Sequence, residues 1–213
     1  MRRRNRPGTK ASDLWGWGME DISKMNGPFA VQEYLQELIR NEPANVMKIC
    51  ELPDGVDESV WQYEHIRQFV LELNLLVVQL LGICTSKTCP KMTGNKEFIF
   101  ICAAHKGTSN CSAIDYMIHT IDNATAIIHS NNFNRVAIPA DSKKHLHNIV
   151  RRLYRIFAHT YFHHNEIFEE FEREMHLCAR FTHFSRRFKM MSADQYMVPE
   201  EAIQINRSGT SSM

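Results

Sequence analysis

The strongest constraint on the fold is a set of sulfur and imidazole side chains that lie far apart along the chain. Cys84 and Cys89 are separated by four residues and followed by a proline, which favours a tight turn. Much further along come His159, His163 and His164. Two thiolates and two imidazoles are a ligand set that Zn²⁺ takes in tetrahedral structural sites. The pattern therefore predicts a zinc ion that ties the two segments together.

Spacing alone leaves the choice of histidines open. His159 and His163 lie about 40° apart around a straight helix and face the same way, whereas His159 and His164 lie about 140° apart. His164 becomes a ligand only if the helix ends or bends there. The same spacing also suits a second interpretation, in which two buried thiols lie near a His-rich helix end and no metal binds.

Composition excludes several functional classes. Hydrophobic residues make up 44% and charged residues 23% of the 213 residues, which is typical of one globular domain with its own core. The formal net charge is +1, and the cysteine and histidine spacing differs from that of zinc fingers, so we expect no nucleic-acid binding. No apolar run reaches the roughly 18 residues of a membrane span, and no secretory signal begins the chain. We expect a cytoplasmic protein with reduced cysteines.

Apolar periodicity predicts a mainly α protein. We expect an extended arm over residues 1–26, one domain over 27–200 and a flexible tail over 201–213. Trp15 and Trp17 of the arm either pack onto the domain or belong to a loosely ordered segment. The predicted helices span 29–40, 60–81, 113–128, 143–164 and 166–190, and residues 97–103 are predicted to be a strand in a small β-hairpin. Ser59 and Ser112 are the expected N-caps of the second and third helices.

No catalytic motif is present in the sequence. It contains no His-Glu-x-x-His, no Gly-rich phosphate loop and no nucleophile elbow. A full set of four zinc ligands also leaves no position for the water that a zinc-dependent hydrolase needs. We therefore expect a protein that is not an enzyme, with a zinc hydrolase as the alternative.

Basic residues form a stripe just before the histidines. Arg151 and Arg155 share a helix face and Arg152 lies beside them. Guanidinium groups at this spacing can bind a phosphate through bidentate hydrogen bonds. The alternative is a solvated face that pairs with acidic residues.

The remaining cysteines are Cys50, Cys102, Cys111 and Cys178. Such cysteines are most often buried small hydrophobic residues. Cys102 and Cys111 are close enough in sequence to approach each other across the predicted hairpin.

Several segments together resemble a known family. CTSKTCP (84–90) and RRLYRIFAHTYFHH (151–164) resemble the signature segments of Mob proteins. Within that family, WQYEHIRQF (61–69), FIFICAAHK (98–106), AIDY (113–116) and RRNRPGTK (3–10) resemble the phocein branch. The resemblance runs in the same order from about residue 3 to about residue 200.

The resemblance implies a Mob-type four-helix bundle core with extra helices and a small β-hairpin, stapled by one structural zinc. It implies the ligand set Cys84, Cys89, His159 and His164, and thus favours His164 over His163. It implies a phosphopeptide pocket at the basic stripe, Arg151, Arg152 and Arg155. It also implies a candidate partner surface for a basic kinase segment at Asp57, Glu58, Trp61 and Glu64, where the simpler interpretation is helix-capping acids beside a core tryptophan.

The implied function is that of a non-catalytic adaptor. The phocein branch implies membership of striatin-type assemblies that join protein phosphatase 2A subunits with germinal-centre-type kinases. It also implies a role near Golgi membranes and in vesicle traffic, with membrane contact only peripheral and through partners. The wider Mob family implies an alternative, a kinase co-activator.

Overall fold

The computed structural model describes residues 6–95, 98–105, 111–131, 133, 135 and 137–203. Within these residues the protein is mainly helical, as the sequence predicts, and none of the helices described is long and apolar enough to cross a membrane. The α-helices are α1 Ala30–Asn41, α2 Val46–Ile49, α3 Glu58–Leu80, α4 Ala113–Ile128, α5 Lys143–His163, α6 Asn165–Met175 and α7 Leu177–Arg187. Short 3-10 helices span Ala11–Asp13, Ile22–Lys24, Ala140–Ser142, Ala193–Gln195 and Glu200–Ala202.

Helix α3 lies at the centre of the fold, and residues 59–67 are buried around its whole circumference. Its second half is buried on one side, while Leu71, Leu75 and Val78 are half exposed. It contacts α1, α4, α5, α6 and α7. Ile66, Phe69 and Leu73 are completely buried in the main core. A helix that is buried on several sides needs partners on several sides. The later helices supply them, and α5, which carries the candidate histidines, packs directly against α3 and α4.

A buried ion pair joins α3 to α7. Arg180 Nη2 contacts Glu72 Oε2, and Arg180 is completely buried while Glu72 is nearly so. The guanidinium group also lies 5.5 Å from the centroid of the Phe69 ring. Buried charges persist only when they are paired and hydrogen-bonded, so this contact fixes how the two helices meet.

Short polar side chains cap the N-termini of α3 and α4. Ser112 caps α4 as predicted, since its Oγ accepts a hydrogen bond from Asp115 N. The prediction for α3 was wrong by two residues, because the cap is Asp57 and not Ser59. Asp57 Oδ1 accepts from the backbone N–H groups of Ser59 and Val60 and from the Ser59 hydroxyl, at 2.9, 3.1 and 2.6 Å. A carboxylate satisfies more of the free donors at a helix start than a hydroxyl does.

The single helix predicted over 166–190 is two helices. His176 adopts a left-handed conformation with φ 47° between α6 and α7. The buried carboxyl group of Glu172 accepts hydrogen bonds from Cys178 N and Ala179 N, at 2.7 and 2.8 Å, and so caps α7. The break occurs without a glycine or proline, because a side chain of the preceding helix accepts hydrogen bonds from the free N–H groups at the start of the next one.

The predicted β-hairpin is absent from the residues that the structure describes. Glu97, at the start of the predicted strand, lies outside them, and residues 98–103 form only an isolated antiparallel bridge between Thr93 and Ile99. Phe100 N also donates to Met92 O at 2.8 Å. Phe98, Ile99 and Ile101 are half exposed, so none of the described elements covers the apolar face of this segment. Two short paired segments without such cover are only marginally stable as a sheet.

Both arm tryptophans contact α1. Trp17 Nε1 donates to Glu37 Oε1 at 3.0 Å, and the Arg40 guanidinium lies 4.3 Å from the centroid of the Trp15 ring. Of the two interpretations of the arm, packing onto the domain therefore holds for these residues. The domain boundaries at 26/27 and 200/201 stay predictions, and most of the predicted tail lies outside the described residues.

Candidate metal centre and basic helix face

The two cysteines lie where α3 ends and the chain turns back. Leu81 is extended with ψ 131° and Gly82 has φ 87°, so α3 ends there, and Cys84 N donates to Leu80 O at 2.9 Å across the resulting turn. Cys89 N donates to Thr85 O at 2.8 Å, and the Thr88 hydroxyl donates to Ile83 O at 2.8 Å. These bonds form a tight turn that leaves both thiols on the side facing α5. Both thiols are buried.

The end of α5 supplies the two imidazoles. His159 lies within the helix and is completely buried. His164 is the first residue outside the helix, with φ −140° and ψ 51°, so its side chain leaves the helical direction. For His164 to bind the same metal as His159, the helix had to end or bend here, and it does end here. The ring centroids of the two histidines lie 5.5 Å apart.

The ligand atoms of the four side chains meet in one cluster. Cys84 Sγ lies 3.6 Å from His159 Nε2, and Cys89 Sγ lies 3.5 Å from His164 Nε2. All four ligand atoms are within 4.8 Å of one another. Around a tetrahedral zinc with Zn–S of about 2.3 Å and Zn–N of about 2.0 Å, a sulfur and a nitrogen lie about 3.6 Å apart. The residues present therefore fit a four-coordinate zinc.

Burial favours the neutral forms of the Cys84 thiol and of both imidazoles in this cluster. Burial and the neighbouring Cys89 raise the pKa of the Cys84 thiol to about 12. Burial lowers the pKa of His159 to about 4 and lowers that of His164 as well. His159 Nδ1 lies 2.7 Å from Thr93 O and donates to it, which leaves the lone pair on Nε2 facing the sulfur atoms. Neutral imidazoles beside thiols accept a metal ion once the thiols lose their protons.

His163 occupies a different place. Its Nε2 lies 2.8 Å from Thr93 Oγ1 and 3.0 Å from Gly94 O. It is exposed, and its ring stacks on that of His159 with centroids 4.5 Å apart. The helical geometry that favoured His163 failed because the helix ends at this residue. Sequence reasoning also missed Thr93, whose carbonyl group orients His159, and no local pattern marks it.

The three arginines of the basic stripe lie in three different environments. Arg155 Nη1 donates to the Tyr116 hydroxyl at 2.6 Å, and its guanidinium lies 4.7 Å from the centroid of the Phe100 ring. Arg151 is exposed and donates to Asn148 Oδ1. Arg152 is half-buried in a groove between α4 and α5. Among the described residues, no carboxylate lies within 4.0 Å of these three groups.

The candidate partner surface on α3 is divided by burial. Trp61 is completely buried against Tyr34 and His65. Glu64 is also buried, and it pairs with Arg67 and Arg135. Asp57 and Glu58 are the exposed members, and Asp57 is already used as a helix cap. Trp61 and Glu64 therefore belong to the interior, in agreement with the simpler interpretation of this region.

Comparison with known proteins identifies the family. The Mob1/phocein family model matches residues 37–199, which is most of the chain. The chain belongs to the Mob1/phocein family. The matched residues include all four members of the Cys84, Cys89, His159 and His164 cluster and the whole basic stripe.

Relatives within the Mob1/phocein family cover most of this chain. MOB kinase activator-like 4 of Drosophila melanogaster is 48% identical over 92% of this chain and 89% of the relative. MOB-like protein phocein of Caenorhabditis elegans is 43% identical over the same shares. A more distant relative, maintenance of ploidy protein mob1 of Schizosaccharomyces pombe, is 25% identical over 75% of this chain and 80% of the relative.

Proposed function

We propose that this protein is a non-catalytic adaptor of the phocein type, stabilised by one structural zinc ion at Cys84, Cys89, His159 and His164. The observation that carries the proposal is the meeting of two sulfur and two imidazole nitrogen atoms at the spacing of a closed tetrahedral site. Four protein ligands fill the coordination sphere of zinc, so no position is left for a reacting water.

The zinc would fix the end of α3 to the end of α5. The central parts of these two helices already pack in the buried core. The ion would therefore add a link between their ends. A rigid helical body with a closed metal site suits docking of other proteins rather than turnover of a substrate.

The partners we propose follow from the relatives and from the phocein resemblance. One relative is named a phocein, and another is named a kinase activator. We propose that the protein joins a striatin-type scaffold, protein phosphatase 2A subunits and germinal-centre-type kinases. Through these partners it would reach Golgi membranes and vesicle traffic peripherally.

Reconstitution tests the adaptor proposal. Purified, zinc-loaded protein is mixed with a striatin-type scaffold and a germinal-centre-type kinase, and the mixture is separated by size-exclusion chromatography. We expect co-elution with at least one of the two. Elution as a free protein in both mixtures contradicts the proposal.

For the basic face we propose phosphopeptide binding by Arg151, Arg152 and Arg155. Supporting features are the three guanidinium groups without carboxylate partners among the described residues and a groove beside Arg152. Polar side chains of Thr120, Asn123 and Asn148 line this groove. Arg155, which is held by Tyr116 and Phe100, offers a pre-oriented guanidinium, and such order reduces the entropy lost on binding.

A charge reversal in the groove tests this binding. We expect Arg152→Glu to weaken binding of phosphothreonine peptides at least ten-fold in fluorescence polarisation, because a carboxylate replaces a phosphate ligand. The matched control is Arg173→Glu, which makes the same charge change at an exposed position of α6. Equal affinity of the native protein for phosphorylated and unphosphorylated twins of the peptides contradicts phosphate recognition.

A second candidate function is kinase activation of the wider Mob type. The name of the Drosophila melanogaster relative favours it. It predicts that the purified protein raises the activity of a bound kinase, whereas a pure adaptor leaves that activity unchanged. A kinase assay on the reconstituted complex separates the two.

A further inference from the structure

A second cluster of two cysteines and two histidines lies beside the first. Cys102, His105, Cys111 and His119 place one ligand atom each within 4.8 Å of one another. Cys102 is buried, Cys111 and His119 are half-buried, and His105 is exposed. None of the four belongs to the metal centre described above, and the sequence predicted a single zinc.

The distances within this cluster match metal coordination. His119 Nδ1 faces both sulfur atoms and lies 3.7 Å from Cys102 Sγ and 3.7 Å from Cys111 Sγ. These values are close to the roughly 3.6 Å expected between sulfur and nitrogen around a tetrahedral zinc. His105 Nε2 is nearer to Cys111 Sγ, at 2.9 Å, and completes the set. A metal requires this nitrogen and sulfur to separate by about 0.7 Å, and the exposed position of His105 lets its ring move outward by that amount.

The described backbone beside this cluster is held by few other contacts, chiefly two backbone hydrogen bonds to residues 92–94 and the packing of Phe100. Residues 98–105 form no helix or strand beyond the isolated bridge at Ile99. They nevertheless expose large apolar side chains, with Phe98, Ile99 and Ile101 each at least half accessible. A segment that buries so little apolar surface gains little from the hydrophobic effect to offset its conformational entropy. A metal ion that joins this segment to α4 supplies that missing stabilisation.

We propose that Cys102, His105, Cys111 and His119 form a second structural zinc site, with Zn²⁺ held by two thiolates and two imidazoles. On binding, the two thiols release their protons and the two neutral imidazoles each offer a lone pair, so the occupied site carries no net charge. Softer sulfur ligands together with imidazole in a tetrahedral set favour zinc over magnesium or calcium.

The second site lies next to both features already described. Ala113 N, just after Cys111, donates to the carbonyl group of Cys89 at 3.0 Å, so the two metal clusters are linked through one hydrogen bond. Tyr116 lies between Cys111 and His119 in the sequence, and Phe100 precedes Cys102 by two residues. Both residues hold Arg155. The second zinc would therefore fix Tyr116 and Phe100, the two side chains that position Arg155. The second zinc site does not depend on the proposed adaptor function.

Native mass spectrometry of the full chain, purified with zinc and a phosphine reductant, tests the proposal. We expect two zinc ions per native chain and one in Cys111→Ser or His119→Ala. The matched controls keep two ions: Cys178→Ser changes a buried cysteine outside both clusters, and His129→Ala changes an exposed histidine at the end of the same helix. Cys84→Ser should lose the other ion and keep this one.

The outcomes separate the two metal sites. One zinc in the native chain that is lost in Cys84→Ser and kept in Cys111→Ser overturns the second site and leaves the first. One zinc in the native chain that is kept in Cys84→Ser and lost in Cys111→Ser supports the second site and contradicts the first. A Cys102–Cys111 disulfide in place of a second ion, seen as a mass lower by two hydrogens in unreduced protein, also overturns the proposal.

A measurement on native protein covers variants that fail to fold. Zinc is withdrawn stepwise with a chelator, and cysteines are labelled with iodoacetamide and mapped. We expect Cys102 and Cys111 to be protected in the zinc-loaded protein and to become labelled together as one ion leaves. Labelling of both cysteines at full zinc occupancy contradicts coordination.

Discussion

Two adjacent histidines at the end of α5 provide a sharp test of the metal centre. His164 Nε2 faces Cys89 Sγ at 3.5 Å, whereas His163 Nε2 faces Thr93 and Gly94 instead. We therefore expect His164→Ala to remove a zinc ligand and His163→Ala to leave all four ligands in place. The substitutions are chemically identical and one residue apart, so each serves as the control for the other.

The expected effect follows from the strength of structural zinc sites. Apparent binding free energies are about 10–16 kcal/mol for a full ligand set, so one of four ligands contributes roughly 2.5–4 kcal/mol. This corresponds to a loss of about 10² to 10³ in zinc affinity for His164→Ala. At saturating zinc the same loss lowers the melting temperature by about 10 °C in a domain of this size. For His163→Ala we expect less than a ten-fold change in affinity.

The assay is competition for zinc with a chromogenic chelator, followed by thermal unfolding of each zinc-loaded variant. The second cluster is removed from the background with Cys111→Ser, so that each protein titrates one ion at most. If His163→Ala weakens zinc binding as much as His164→Ala does, the assignment of His164 is refuted.

Other contacts lead to predictions for stability and its pH dependence. Arg180→Met should destabilise the protein by about 3–5 kcal/mol, because it leaves the buried Glu72 carboxylate unpaired, and the double variant with Glu72→Gln should recover part of the loss in urea unfolding. Additive losses would contradict a direct pairing. Burial raises the pKa of Glu172 to about 7 from 4.5. Between pH 4.5 and pH 7 the folded state therefore holds a proton on Glu172 that the unfolded state has lost. The stability of the native protein relative to Glu172→Gln should fall by on the order of 3 kcal/mol as the pH rises across this range. A difference that stays constant from about pH 5 to 7.5 would show that Glu172 is not protonated. Asp57→Ala should cost about 1 kcal/mol of stability as the loss of a helix cap, and Ser59→Ala less, with the reverse order pointing to Ser59 as the cap.

Local patterns predicted those elements whose ends are fixed by nearby residues. The bounds of α4 follow from the Ser112 cap and the apolar stripe behind it, and α5 begins at the predicted residue, Lys143. The break at His176 could not be predicted, since the group that caps α7 is a glutamate of α6 that reaches it only in the folded protein. The strand was predicted wrongly because alternation describes one segment, whereas a sheet also needs a partner and a covering layer.

For the candidate metal centre, the sequence predicted which residues take part better than it predicted how they are arranged. Cysteine spacing and the family resemblance supplied the four residues, and the structure places their ligand atoms together. Helical geometry alone favoured His163, since no residue near the end of α5 shows in advance that the helix stops there. His105 was missed although it follows Cys102 by three residues, a spacing at which two side chains can bind one metal. His119 lies on α4 and meets the two cysteines only in the folded protein.

The central claim is a zinc ion enclosed by four protein ligands, and zinc K-edge X-ray absorption on the Cys111→Ser protein tests it most directly. With the second cluster disabled, the spectrum reports only the ion at Cys84, Cys89, His159 and His164. We expect two sulfur atoms at about 2.3 Å and two imidazole nitrogens at about 2.0 Å. A coordinated water oxygen in place of one of these atoms, or protein that retains no zinc, would contradict a closed structural site.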